Sequence, residues 1–246
     1  MHLTESAIHS PTLGNERRVW LQPPPVDQPA AAICILLDGE YYVDRMDAPA
    51  VIAGLQASQM VPPFAVAYVS HVDSQTRSKE TKCDEDFARF VANELTPWVH
   101  RQFEQTASRP PTILGGLSLT GLAAAHVALR SPDSFMGVLC QSASFWWSDQ
   151  WLVNEYRSHG PSSLRYRISC GSLETAEFVD HGPDLIQRTS QVASNRAMRD
   201  VLLDTGCDVS YEEFLGGHDI ASWRSDLAKS LPVLLPNAEG TKNRLR

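Results

Sequence analysis

The stretch Pro111–Arg130, P-T-I-L-G-G-L-S-L-T-G-L-A-A-A-H-V-A-L-R, changes character twice within twenty residues. Its apolar start has strand length, Gly115-Gly116 interrupts it, and the alanine-rich end is a strong helix former. The reading is strand, sharp turn, helix, with Ser118 at the apex. A serine held on such a turn presents its hydroxyl above the C-terminal edge of a parallel sheet, beside the positive end of a helix. In the pattern G-x-S-x-G the first glycine is present as Gly116, whereas Thr120 occupies the second glycine position and Gly121 follows it. The segment also reads as a turn whose serine merely caps the helix, so residues elsewhere must decide.

Outward from this segment, apolar runs alternate with amphipathic ones. Strands are predicted at Arg18–Leu21, Ala31–Leu37, Phe64–Val69, Thr112–Leu114, Gly137–Cys140, Tyr166–Cys170 and Ser210–Leu215. Helices are predicted around Ala48–Ala57, Asp84–Phe103, Leu122–Arg130, Gln187–Thr205 and Ser222–Leu231. That alternation gives the fold class α/β, a mostly parallel central sheet with helices on both faces. Asp84 is placed to cap a helix, Ser131-Pro132 to end one, and Pro23-Pro24-Pro25 to stiffen the connection after the first strand. The reading is a single domain over 1–246, with polar, poorly ordered ends at 1–10 and 237–246.

Bulk properties exclude several classes. With 21 Lys+Arg against 29 Asp+Glu, a formal charge of -8, the chain lacks the basic excess that general nucleic-acid binding requires. No run approaches the ~20 apolar residues of a membrane helix. Met1–Pro11 shows neither a basic nor an apolar leader region, which reads as cytoplasmic, or as periplasmic had a leader been removed. Of the five cysteines, Cys34, Cys140 and Cys170 sit in strand-like runs, so buried free thiols are expected instead of a disulfide framework or a zinc site.

The partners of Ser118 follow in the order of an α/β-hydrolase: serine, acid, histidine. His218 comes after the last strand and Gly216-Gly217, placed as general base. His126 lies inside the helix after Ser118, and His159 and His181 precede the last strand. The loop after Tyr166–Cys170 supplies Glu174 as the acid, with Glu177 or Asp180 in its place if the loop turns differently. An oxyanion hole needs two backbone N–H groups. Leu119, directly after the nucleophile, offers one, and Gly39 or Glu40, in the turn after Ala31–Leu37, the other.

Six runs in order resemble the enterochelin (enterobactin) esterases, serine hydrolases that cut the trilactone of catecholate siderophores. They are L-L-D-G at Leu36–Gly39, T-R-S-K-E-T-K-C-D-E-D-F at Thr76–Phe87, N-E-L-T-P-W around Glu94, and G-G-L-S-L-T-G-L at the elbow. Then come S-P-D-S-F-M-G-V-L-C-Q-S-A-S-F-W-W at Ser131–Trp147 and G-G-H-D-I-A-S-W-R at Gly216–Arg224. The resemblance implies Ser118 as nucleophile and His218 as base, and places Glu174 in the acid region. Thr120 departs from a family glycine, and the N-terminal domain of longer members is not seen.

A catecholate siderophore ester, ferric or iron-free, calls for aromatic surface and some cations. Trp146 and Trp147 follow Gly137–Cys140, one to pave the pocket and the other to pack into the core. Arg77, Lys79 and Lys82 form a basic cluster on a loop facing the same edge; Arg77 either meets catecholate oxygens or pairs with Glu80. Arg224 reaches the ligand or a surface carboxylate. The chemistry asks for no metal or organic cofactor, iron arriving only as cargo. Two other readings share these residues: an esterase, thioesterase or acyltransferase for other acyl esters, and a non-catalytic binder of aromatic ligands. Oligomeric state is not legible.

Overall fold

The computed structural model describes residues 3–25, 28–103, 109–159, 163–182 and 185–235. Eight strands form one sheet in the order β1-β2-β4-β3-β5-β6-β7-β10. They are β1 (Thr4–Ser10), β2 (Asn15–Gln22), β3 (Ile33–Leu37), β4 (Ala65–Val69), β5 (Thr112–Leu117), β6 (Gly137–Gln141), β7 (Arg165–Gly171) and β10 (Asp208–Phe214). The six from β3 onward pair in parallel, and β1 and β2 add an antiparallel edge. A separate short hairpin, β8 (Val179–Asp180) and β9 (Ile186–Gln187), stands apart from the sheet.

The helices are α1 (Ala48–Ala57), α2 (Ser74–Glu80), α3 (Glu85–Arg89), α4 (Thr96–Gln102), α5 (Leu119–Arg130), α6 (Trp147–Ser158), α7 (Gln191–Asp204) and α8 (Ile220–Leu234). Alternation along the strands assigns the two faces. Ile33, Ile35 and Leu37 of β3 pack with residues of α5, α6 and α7, whereas Cys34 and Leu36 pack with α1 and α8. Both faces are covered, so every residue of β3 through β6 is buried, as a parallel sheet between helical layers demands. This is the α/β-hydrolase fold.

Several boundaries have local causes. Asp84 caps α3 by accepting the Phe87 N–H at 2.8 Å, and α5 stops at Arg130 before Ser131-Pro132. The predicted helix Asp84–Phe103 is α3 and α4 joined by a widened π turn at Phe90–Leu95. α7 begins at Gln191, four residues later than expected, because Ser190 caps it and Gln187 belongs to β9. Two α-helices among the described residues went unpredicted. The basic segment expected as a loop is α2, capped by Asp73; and α6 opens with left-handed residues at Ser148, Asp149 and Gln150, which break its periodicity.

The expectation of a poorly ordered N-terminus is corrected for Thr4–Ser10. These residues pair with Ser10↔Asn15 through Thr4↔Leu21, and Ile8 packs into the core. Met1, His2 and the tail 237–246 lie outside the described residues. All five cysteines are unpaired, and Cys34, Cys140 and Cys170 are buried in β3, β6 and β7. Burial pushes the Cys34 thiol up to about 12 and those of Cys140 and Cys170 higher still. No helix among the described residues is long and apolar enough to cross a membrane.

Candidate active site

Ser118 follows β5 directly, with φ 54° and ψ -123°, a left-handed backbone that a non-glycine residue adopts at a cost of ~1–3 kcal/mol. The surroundings hold it there: its N–H donates to the Gln141 carbonyl (2.9 Å), and its carbonyl accepts from Ser144 N–H (3.0 Å). Tight packing explains the glycines. A Cβ on Gly116 would lie 2.4 Å from the Thr120 carbonyl group, and one on Gly121 would lie 2.9 Å from Ala143 Cβ. The close approach of helix to strand therefore uses Gly121, which leaves position 120 free to carry a side chain. Thr120 accepts the Leu117 N–H at 3.0 Å, and its hydroxyl hydrogen faces the Leu117 carbonyl (2.8 Å) and the Asp38 carboxylate (3.1 Å).

His218 and Glu174 converge on Ser118. His218 Nε2 lies 3.0 Å from Ser118 Oγ, and His218 Nδ1 lies 2.6 Å from Glu174 Oε2. With Nδ1–H donated to the carboxylate, Nε2 is left as acceptor for the serine hydroxyl. Trp223 packs perpendicular to the imidazole, with ring centroids 4.7 Å apart. Glu174 is buried, and its other oxygen accepts from Ser142 Oγ (2.6 Å) and Gly171 N–H (2.7 Å). A Cβ on Gly171 would collide with the Gly216 carbonyl at 2.5 Å, so glycine is required where the acid loop meets the histidine loop. Glu177 is exposed and Asp180 belongs to β8, where it caps Gly182 N–H.

A cavity of about 550 Å³ opens over Ser118 and His218. Its walls include Leu119, Ser144, Trp146, Leu173, His181 and Gln191. Trp146 is nearly buried, donates Nε1–H to Gln191 Oε1 (2.5 Å) and stacks on His181 with ring centroids 5.2 Å apart. His181 rides on the β8–β9 hairpin, which sequence periodicity does not reveal because both strands are two residues long.

The other expected ligand contacts divide. Trp147 does not line the cavity; it packs edge-on against Trp151 at 6.3 Å, since adjacent residues leave the turn in opposite directions. Arg224 is also outside, its Nε donating to the Met46 carbonyl at 2.7 Å, with Asp47 at 3.7 Å. Lys79 faces a different cavity, beside Glu80 and Asp86. Arg77 does line the site, but its guanidinium binds Asp38, with Nη2–Oδ2 at 2.6 Å and Nε–Oδ1 at 2.8 Å. Glu80 pairs instead with buried Arg17 at 2.6 Å.

Asp38 has φ 65° and opens the turn that carries Gly39. Burial alone would raise its pKa, but His71 and Arg77 outweigh that and hold the carboxyl below its usual value. Gly39 is buried where a Cβ would stand 2.8 Å from the Tyr68 carbonyl carbon, so the turn lies flush on β4. Among the described residues, Asp38, Glu40 and His71 are the one group spaced to hold a metal ion. Arg77 already pairs with both oxygens of Asp38, so a cation there would have to compete with a guanidinium held at the cavity wall.

Comparison with known proteins agrees with this architecture. The model of the Esterase family, described as "Putative esterase", matches residues 10–234. The iron(III) enterobactin esterase of Dickeya dadantii is 30% identical over 92% of this chain and 53% of its own length. That of Escherichia coli K12 is 28% identical over 90% of this chain and 54% of its own. The structure of the Shigella flexneri enterobactin esterase in the presence of enterobactin gives a TM-score of 0.80 at 28% identity, covering 95% of this chain and 59% of that one. The chain thus spans about half the length of the curated relatives it matches. With the family model spanning the sheet from the end of β1 to the last helix, the chain belongs to the Esterase family.

Proposed function

We propose that this chain is a single catalytic domain acting as a serine esterase on ester bonds of a catecholate siderophore, through an acyl-enzyme. The observation that carries the chemistry is the continuous line Ser118 Oγ–His218–Glu174, with contacts of 3.0 and 2.6 Å, at the floor of an open cavity. The observation that carries the substrate is the likeness over nine-tenths of the chain to iron(III) enterobactin esterases.

In this mechanism Ser118 Oγ attacks the ester carbonyl while His218 Nε2 takes its proton. Negative charge on the carbonyl oxygen is met by the N–H of Leu119, at the start of α5, and by that of Gly39, in the turn that Thr120 ties to the elbow through Asp38. The imidazolium, stabilised by Glu174, then gives its proton to the departing alcohol. Water deprotonated by the same histidine attacks the acyl-enzyme and releases the acid, restoring Ser118. The step balances without a metal or organic cofactor.

The stacked Trp146 and His181 and the side chain of Leu173 supply apolar and aromatic surface for the acyl ring. A second reading, an esterase for uncharged aryl esters, is favoured by the position of the cations. Arg77 is neutralised by Asp38 and Arg224 lies outside the cavity, so neither offers an unshared charge to an anionic ligand.

Mass spectrometry of products from iron-free and ferric enterobactin, beside a simple aryl ester and with His218→Ala as control, tests both. Appearance of linear dihydroxybenzoyl-serine products supports the siderophore reading. Cleavage of the aryl ester alone would replace it with the second. A folded chain that neither cleaves ester nor takes a fluorophosphonate on Ser118 would leave only a binding protein.

A further inference from the structure

Glutamate in the acid position has one more rotatable bond than aspartate, and ordering it fixes side-chain freedom that burial alone does not direct. Something must aim Oε2 at the imidazole. In this chain Oε1 is the anchored oxygen, held by Ser142 Oγ at 2.6 Å and by Gly171 N–H at 2.7 Å.

The direction of the Ser142 hydrogen follows from its second neighbour. Trp223 Nε1 lies 3.0 Å from Ser142 Oγ, and an indole N–H only donates. Ser142 must therefore accept from Trp223, which leaves its own hydrogen for Glu174. Trp223 also packs perpendicular to the His218 ring, with centroids 4.7 Å apart, so one side chain touches the base directly and reaches the acid through Ser142.

The backbone at Ser142 is built for this placement. Its φ is 43°, in the left-handed region, and it is held by its N–H to the Ser169 carbonyl (2.7 Å) and by Gln191 Nε2 on its own carbonyl. Ser142 is fully buried and does not line the cavity, so substrate does not reach it. Neighbouring Cys170 is kept a neutral thiol by burial and does not compete for Glu174 as a charged group.

We infer that Ser142 and Trp223 are positioning residues, a neutral donor relay Trp223 Nε1–H→Ser142 Oγ–H→Glu174 Oε1 that aims the carboxylate at His218. The inference rests on the esterase reading only for its kinetic readout. Because the donors carry no charge, the carboxylate keeps its full charge for the imidazolium that forms during catalysis.

The test uses the full chain with Ser142→Gly, Ser142→Ala and Trp223→Phe. Glycine accepts the left-handed backbone, so loss of the hydroxyl is separated from loss of the turn. Two readouts are taken. The first is turnover of an aryl ester, with the rate of Ser118 labelling by a fluorophosphonate. The second is the low-field proton resonance of His218 Nδ1–H, assigned by its disappearance in His218→Ala.

Loss of a hydrogen bond to a buried carboxylate predicts a fall in kcat of about 10–100-fold for both Ser142 variants, with KM little changed. Trp223→Phe keeps the ring against His218 and should lose less, roughly 3–10-fold. In all three the low-field resonance should move upfield and exchange faster. Wild-type kcat and an unmoved resonance in folded Ser142→Gly would overturn the relay. So would activity lost only in step with thermal stability while the resonance stays in place. If wild type itself proves inactive, the esterase reading fails, and the resonance alone still decides the relay.

Discussion

Two buried carboxylates flank Ser118, and they are held in opposite ways. Asp38, on the β3 side, is neutralised: Arg77 grips both oxygens, His71 stands 3.4 Å away and Thr120 links it to the elbow. Glu174, on the β7 side, meets only uncharged donors at one oxygen and leaves the other for His218. A carboxylate locked in an ion pair fixes the shape of a turn. One held by neutral donors keeps its charge for a partner that becomes positive only in mid-reaction. In the proposed mechanism the same functional group serves as scaffold on one side of Ser118 and as electrostatic reagent on the other.

The most drastic way to break the contrast is to remove what both carboxylates serve. Ser118→Ala or His218→Ala should lower kcat by ~10⁶ with little change in thermal stability, read by ester hydrolysis and calorimetry. Next, Glu174→Gln keeps the shape but removes the charge and presents the wrong donor to Nδ1. A loss of ~10⁴ in kcat with a retained fold is expected, and near wild-type turnover would show that Glu174 is not the acid.

Arg77→Ala should show the opposite profile, costing mainly stability, because it leaves buried Asp38 to His71 and Thr120, at about 1–3 kcal/mol measured by denaturant unfolding. The pH dependence sharpens this. The folded pKa of Asp38 lies below the unfolded value of ~3.9, so its contribution is present above that pH and lost as pH falls through the lowered value. In Arg77→Ala the carboxylate keeps His71 but loses its other cationic partner against the same burial, so that variant should lose less stability on acidification than the wild type does.

A smaller effect is expected at His71. Its pKa is raised, chiefly by the Asp38 carboxylate with burial opposing. Its stabilisation is therefore complete below the unfolded value of ~6.5 and fades as pH rises through the folded one. His71→Gln should flatten the melting temperature above neutrality. Least of all, Arg224→Ala, outside the cavity and touching neither carboxylate, should leave turnover within about two-fold, an exposed contact being worth ~0–1 kcal/mol.

Which parts were legible from sequence follows from how each is stabilised. The parallel strands are buried on both faces and declare themselves as continuous apolar runs, as in Ile33–Leu37. β1, T-E-S-A-I-H-S, is an edge strand of mostly polar residues in which only Ile8 and Ser10 are buried, so no run marks it. The convergence of Ser118, Glu174 and His218 was readable because each sits on a loop after a strand, at an offset set by the fold. Trp146 and Trp147 were not separable, being adjacent aromatics whose fates are set by the turn between them. Arg77 was found as a site cation, but its partner Asp38, 39 residues earlier, was hidden inside L-L-D-G. Ser142 carries no signal in a single sequence: a serine after a strand is common, and only the indole of α8 behind it gives its hydrogen a direction.

The unpaired cysteines have a practical side. In the native chain Cys34, Cys140 and Cys170 are shielded, and their raised pKa values keep them from the thiolate form that alkylating reagents attack. Once the sheet opens, all five become ordinary thiols within one chain, with a choice of mispairings and no native bond to guide them. Heat or denaturant in air should therefore convert a reversible transition into a trap of scrambled disulfides, whereas reductant should keep the way back open. The three strand thiols are inert spectators of the folded molecule and become part of the chemistry that decides its fate when it unfolds.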